Sequence, residues 1–86
     1  MLKVEWFKQA EKELDKLDFK IAQRLVIKVN WLSHNFSHII PEPLHGSLKG
    51  TYKLRVGDYK VVYTLNQDTI EILFVGHRLK YTTDNN

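Results

Sequence analysis

The sequence predicts an α+β fold: an N-terminal strand, a two-helix hairpin, then a three-stranded antiparallel meander. Three observations carry that prediction. Apolar residues alternate with period two at the start of the chain, shift to helical spacing from Phe7, and return to period two after Gly50. Pro41 and Pro43 stand between the helical and the later strand-like regions, where they exclude helix continuation and impose extended backbone. Gaps as short as Gly57-Asp58 and Asn66-Gln67-Asp68 separate the later runs, and such gaps join antiparallel neighbours.

The elements follow in order. Leu2, Val4 and Trp6 alternate with Lys3 and Glu5, which predicts a short first strand. Phe7, Ala10, Leu14 and Leu17 then form a helical stripe, and Lys8, Glu11, Lys12, Glu13, Asp15 and Lys16 are assigned to its polar side. Asp18 is placed to cap a second helix, because its carboxylate accepts from an unpaired N–H of the first turn. Ile21, Leu25, Val29 and Leu32 form the second stripe, broadened by Ala22, Val26 and Phe36; the helix is expected to end near Asn35. Neither stripe buries itself alone, so a sheet must cover both. That sheet is assigned to Thr51–Val56, Tyr59–Leu65 and Thr69–Gly76. Trp6 and Trp31 are expected in the core.

With 86 residues and 43% apolar content, residues 1–86 read as one domain. No cysteine is present, so neither disulfides nor thiolate-bound zinc stabilise it, which fits a reducing cytoplasm. The early charges in MLKVEWFKQAEKE lead us to expect no signal peptide, and no apolar run approaches membrane-spanning length. The net charge of +3 suits a polyanion or an acidic protein.

Charge placement is more informative than the sum. Alternation puts Tyr52, Leu54 and Val56 on one side of their strand and Thr51, Lys53 and Arg55 on the other. The next strand sets Lys60, Val62 and Thr64 against Tyr59, Val61, Tyr63 and Leu65. Lys53, Arg55 and Lys60 should therefore share the face away from the helices, which holds no acid among Thr51, Lys53, Arg55, Lys60, Val62 and Thr64; Asp58 lies at the turn and Glu71 is the nearby strand acid. A solvated face normally mixes signs, because like charges on adjacent strands repel. The tail His77-Arg78-Leu79-Lys80-Tyr81 is expected to fold onto the same face. Such a cluster suits RNA cleavage, in which the 2′-hydroxyl is an internal nucleophile and fixed cations stabilise the charged phosphorane. Lys53, crowded by cations, is the candidate general base; His77 and Tyr81 are candidates for proton donation or base stacking.

The residues that carry this chemistry also carry a family pattern. The run PEPLHGSLKGTYKLRVGDYKVVYTLNQDTIEILFVGHRLKY, with the preceding hairpin ending in WLSHNF, resembles the RelE side of the RelE/ParE superfamily of type II toxin–antitoxin toxins. Its specific parts are L-x-G-x-x-x-G-x-Y-x-L-R-x-G-x-Y-[KR]-x-x-Y and the closing V-G-H-R. The resemblance implies a cytoplasmic, ribosome-dependent mRNA endoribonuclease that needs no metal or other cofactor and inhibits translation by cleaving message in the ribosomal A site. It matches Lys53 to a catalytic Lys, Lys60 to a phosphate-binding Arg position, Arg55 to a basic strand position and Arg78 to the Arg of the closing motif. Lys49 and Lys80 complete the expected RNA-binding set. Two positions depart from the pattern: Thr51 stands where some relatives carry a second Lys, and Tyr81 lies closer to Arg78 than the family's C-terminal Tyr lies to its Arg. The implied partners are a cognate acidic antitoxin, the ribosome and its mRNA, with DNA contacted only through the antitoxin.

Two other functions use the same fold: ParE-like inhibition of DNA gyrase, and binding without catalysis. The basic set of Lys53, Lys60, His77 and Arg78 favours the ribonuclease. Lysines and an arginine recurring every fourth residue from Lys8 to Lys28 read as solvated helix faces paired with Glu11, Glu13 and Asp15. His34 and His38 have a metal-compatible spacing but lack the His-Glu pair of the metalloprotease motif, and the helix is expected to end near Asn35, so no metal site is expected. The glycines of Gly46-Ser47-Leu48-Lys49-Gly50 lack Walker spacing and are assigned to turns.

Overall fold

The computed structural model describes residues 1–44 and 50–79. Strand β1 (Lys3–Trp6) leads into helices α1 (Lys8–Asp15) and α2 (Phe19–Asn35), and a 3-10 turn (Phe36–His38) follows. Then come β2 (Glu42–Pro43), β3 (Thr51–Val56), β4 (Tyr59–Asn66) and β5 (Thr69–His77). The expected strand, helical hairpin and antiparallel meander are all present.

The five strands lie in the order β1-β5-β4-β3-β2. β1 runs parallel to β5, and the other neighbours are antiparallel. The parallel pairing follows from the hairpin: two helices between β1 and the meander carry the chain back across the sheet before it pairs. β2 is an addition that periodicity could not reveal. The two prolines impose extended backbone, and Pro43, with no N–H to donate, is tolerated because β2 is an edge strand.

Asp18 caps α2 as expected, its Oδ2 accepting from Lys20 N at 3.2 Å. Gly57 takes a φ of +62° in the two-residue β3–β4 turn, a conformation that costs glycine little. Ala10, Leu25, Val29 and Leu32 from the helices meet Val61, Tyr63, Ile70, Ile72 and Val75 from the sheet in one buried cluster. Each large side chain there contributes about 1.5–3 kcal/mol relative to exposure.

Two side chains depart from expectation. Trp31 is 41% exposed on the outer face of α2, and only Trp6 packs against the core. Glu13 is buried instead of solvated. It falls three residues after Ala10, on the inward side of α1. Its Oε1 accepts from Val75 N at 2.9 Å and its Oε2 from Gln9 Nε2 at 3.0 Å. β1 ends at Trp6, so among the described residues no strand lies beside that edge of β5 beyond Ile72, and the Glu13 carboxylate satisfies an N–H there.

β5 also carries a bulge. Val62 pairs with Phe74 while Tyr63 pairs with Ile72, so Leu73 is the extra residue. Ile70 and Ile72 face the helices, and after the extra residue so do Val75 and His77.

Candidate functional site

The register of β3 and β4 sets Lys53 opposite Val62 and Arg55 opposite Lys60. Leu54 and Val61, the intervening pair, point to the helices. Lys53, Arg55 and Lys60 are thus neighbours on the far face, as alternation requires. Gly76 stands opposite Lys60 on the other side, and Arg78 follows two residues later. The backbone N–H of Arg78 donates to Asp58 O at 2.8 Å, which ties the end of β5 to the β3–β4 turn.

The surroundings differ from an open wet face. Lys60 is only 3% exposed, Val62 and Thr51 are buried, and the Lys53 side chain is 14% exposed. Arg55 and Arg78 remain exposed. The cations therefore form a recessed row with arginines at its accessible end.

Nor is the face free of acids. Pairing of β2 with β3 sets Glu42 opposite Lys53, with Oε2 3.7 Å from Nζ. Asp58 Oδ1 lies 4.0 Å from Arg78 Nε. That second pair is exposed, so it adds little to stability, about 0–1 kcal/mol, but it orients the guanidinium beside the turn. Glu71 accepts from Thr64 Oγ1 at 3.1 Å and from Asn66 Nδ2 at 3.3 Å. The expectation of an uncompensated cluster is corrected: two of its cations have carboxylate neighbours.

His77 does not join Lys53, Arg55 and Lys60. It pairs with Tyr59 on the helix side, where the two rings meet edge-on at 5.8 Å. Its Nδ1 accepts from Leu79 N at 3.3 Å. With Gln9, Glu13 and Lys16 it borders a pocket of about 350 Å³. The bulge at Leu73 is the physical reason, since one extra residue reverses which face every later side chain takes. Lys49, Lys80 and Tyr81 lie outside the described residues.

Tyr63, on the helix side of β4, has its phenol pushed up to about 12 by burial, with smaller contributions from Tyr52 and Glu42. Its ring lies 5.6 Å from that of Tyr52. Sequence reasoning missed Glu42 and Glu13 as parts of this architecture. The helical position of Glu13 was a usable signal for the second; the two-residue β2 gave none for the first.

Among the described residues no three His, Cys, Asp or Glu side chains gather closely enough to hold a metal ion, and no helix is long and apolar enough to cross a membrane.

The chain has relatives that place this sheet and hairpin in a class. Toxin RelE of Mycobacterium tuberculosis is 34% identical over 71 residues, covering 80% of this chain and 73% of the relative. The toxin–antitoxin complex RelBE2 of Mycobacterium tuberculosis matches with a TM-score of 0.77 at 30% identity, covering 90% of this chain and 91% of that chain. A chromosomal ParDE system from P. aeruginosa matches with a TM-score of 0.74 at 18% identity, covering 90% and 96%, a likeness of fold. Fold and relatives together define a RelE/ParE-type toxin. The family model described as ParE toxin of type II toxin–antitoxin systems, parDE, matches residues 4–80, and the chain belongs to that family.

Proposed function

We propose that this toxin is a ribosome-dependent mRNA endoribonuclease that acts in the cytoplasm, blocks translation, and is held in check by a cognate antitoxin. The observation that supports this most is the shared face of Lys53, Arg55 and Lys60, with Arg78 tied to the turn at its end. Cations grouped along a strand pair suit a bound RNA backbone, whose phosphates meet Lys53, Arg55 and Arg78 while Lys60 stays buried behind them.

In this reading Lys53 leaves the Glu42 carboxylate, gives up its own proton to water, and as the neutral amine accepts the 2′-hydroxyl proton at Nζ. The resulting oxyanion attacks the adjacent phosphorus, the P–O5′ bond breaks, and a 2′,3′-cyclic phosphate and a 5′-hydroxyl form. Arg55 and Arg78 bind the non-bridging oxygens, where negative charge grows, and Arg78 also stabilises the departing 5′-oxygen until water protonates it. Lys60, buried behind Arg55, adds to the local potential without reaching solvent. No step passes through a metal ion. Lys49, Lys80 and Tyr81 would extend the contact along the RNA.

The name of the matching family favours one other reading, gyrase inhibition, and the Glu42–Lys53 pair agrees with it because that lysine is already partnered. Mapping of 5′ ends on mRNA held in programmed ribosomes separates the two. New ends within the A-site codon that disappear in Lys53→Ala and Arg78→Ala establish the nuclease. Intact message beside inhibited gyrase supercoiling establishes the alternative.

A further inference from the structure

The outward face of α2 has a chemistry of its own. No Asp or Glu occurs from Phe19 to Asn35, while Lys20, Arg24 and Lys28 recur every fourth residue along the helix. Among them Ile27 is 60% exposed and Trp31, one turn later, 41%. Lys28 Nζ sits 4.1 Å from the centre of the Trp31 ring. Ile27, Trp31, Arg24 and Lys28 form a groove of about 400 Å³ whose other wall is Val56 and Gly57 at the β3–β4 turn. No acid lines it. An aliphatic and an aromatic side chain one turn apart, flanked by cations, present the pattern that an amphipathic helix reads in a groove.

We infer that the groove formed by Arg24, Ile27, Lys28, Trp31 and the β3–β4 turn docks an acidic amphipathic helix of a protein partner. Its apolar residues lie over Ile27 and Trp31, and its Asp or Glu side chains meet Lys20, Arg24 and Lys28. Charge complementarity selects acid, and the apolar centre selects protein over RNA. Ile27 has no π face on which a base could stack, and Lys28 already covers one face of Trp31. Exposed aliphatic surface between cations lowers its free energy against another apolar surface, not against phosphate. The natural source of such a helix is the antitoxin; that assignment rests on the toxin–antitoxin reading above, whereas the chemistry of the groove does not. Val56 and Gly57 belong to the hairpin that carries Arg55, Asp58 and Lys60, so an occupant here touches the far side of the element that presents the candidate site.

The test uses a synthetic helical peptide of about 18 residues with Leu at helical spacing and Glu on its flanks, and an isomer with Lys in place of Glu. Amide and indole shifts of the labelled toxin are followed during titration. The Leu/Glu peptide is expected to move Ile27, the Trp31 indole N–H and Gly57, and the Leu/Lys isomer to leave them still. Ile27→Glu and Arg24→Glu should each weaken binding about tenfold or more, with unchanged melting temperatures. Shifts confined to the Lys53–Arg55 face, or equal binding of both peptides, overturn the inference. So does a short single-stranded RNA that moves the α2 groove when the Leu/Glu peptide does not. Ribosomal mRNA cleavage by the same two variants reports separately: cleavage at wild-type rate with lost peptide binding keeps both readings, and absent cleavage in wild type removes only the nuclease.

Discussion

Glu42 stands opposite Lys53 across the β2–β3 pairing, its Oε2 3.7 Å from the lysine Nζ. An edge strand of two residues thereby lays an acid against the lysine proposed to meet RNA. The carboxylate competes with phosphate for the same ammonium. Glu42→Gln is expected to tighten binding of a single-stranded RNA and to steepen its salt dependence by about one phosphate contact, a change of roughly 0.7 in the log–log slope. Fluorescence anisotropy across a salt series measures both. An unchanged slope would show that RNA never engages Lys53.

Loss of the lysine and of the closing arginine should act on turnover. Lys53→Ala is expected to lower single-turnover cleavage on ribosomes by about 10²–10⁴, the usual worth of a positioned general base. Arg78→Ala removes charge stabilisation at the phosphate and should cost about 10²–10³. Cleavage by Lys53→Ala at the wild-type rate would take that residue out of the chemistry.

His77 gives the opposite expectation. Because it lies with Tyr59 on the helix side of the sheet, His77→Ala should cleave within a few-fold of wild type. A loss as large as that of Lys53→Ala, read in the same assay, would mean that the imidazole reaches the RNA after all.

Glu13 is expected to matter for stability. Glu13→Ala leaves Val75 N without its acceptor in a buried position, which costs about 1–3 kcal/mol. For a domain of this size each 1 kcal/mol lowers the melting temperature by about 4–8 °C. Glu13→Gln keeps a carbonyl oxygen for Val75 N and should lose less. Equal losses in the two variants, by urea denaturation, would assign the effect to charge instead of the hydrogen bond.

Tyr63 sets an alkaline limit. Its phenol is neutral when protonated, and folding raises its pKa from 10.0 to about 12. The native state therefore holds that proton more tightly than the unfolded chain. This contribution to stability is complete below pH 10 and is lost as pH rises towards 12. Absorbance titration of tyrosinate should find one of the four tyrosines ionising late, and Tyr63→Phe should abolish that late step. A late step that survives the substitution belongs to another residue.

Particular elements explain what the sequence made legible. β3 and β4 alternate without a break, so the shared face of Lys53, Arg55 and Lys60 could be read directly. β2 could not be read, because two residues contain no period, and Glu42 remained invisible as the partner of Lys53. Glu13 was legible and misread: its place in the α1 stripe outweighed its charge, since Val75 N offered a hydrogen bond. Trp31 was misread the other way, an aromatic residue assumed inside although helical geometry turns it outward with Arg24 and Lys28. His77 failed for a further reason. It was placed on the basic face as part of a tail folding back, because the apolar run of β5 has no alternation to follow and the bulge at Leu73 leaves no mark in the sequence.

That extra residue has a consequence for comparing this chain with its relatives. Leu73 splits β5 into an early and a late half that obey opposite inside–outside rules. A relative lacking one residue here can still carry the same V-G-H-R. It would nonetheless turn both its valine and its imidazole to the face of Lys53, Arg55 and Lys60. The count of residues between Ile70 and Val75, and not the motif itself, decides what that histidine can touch.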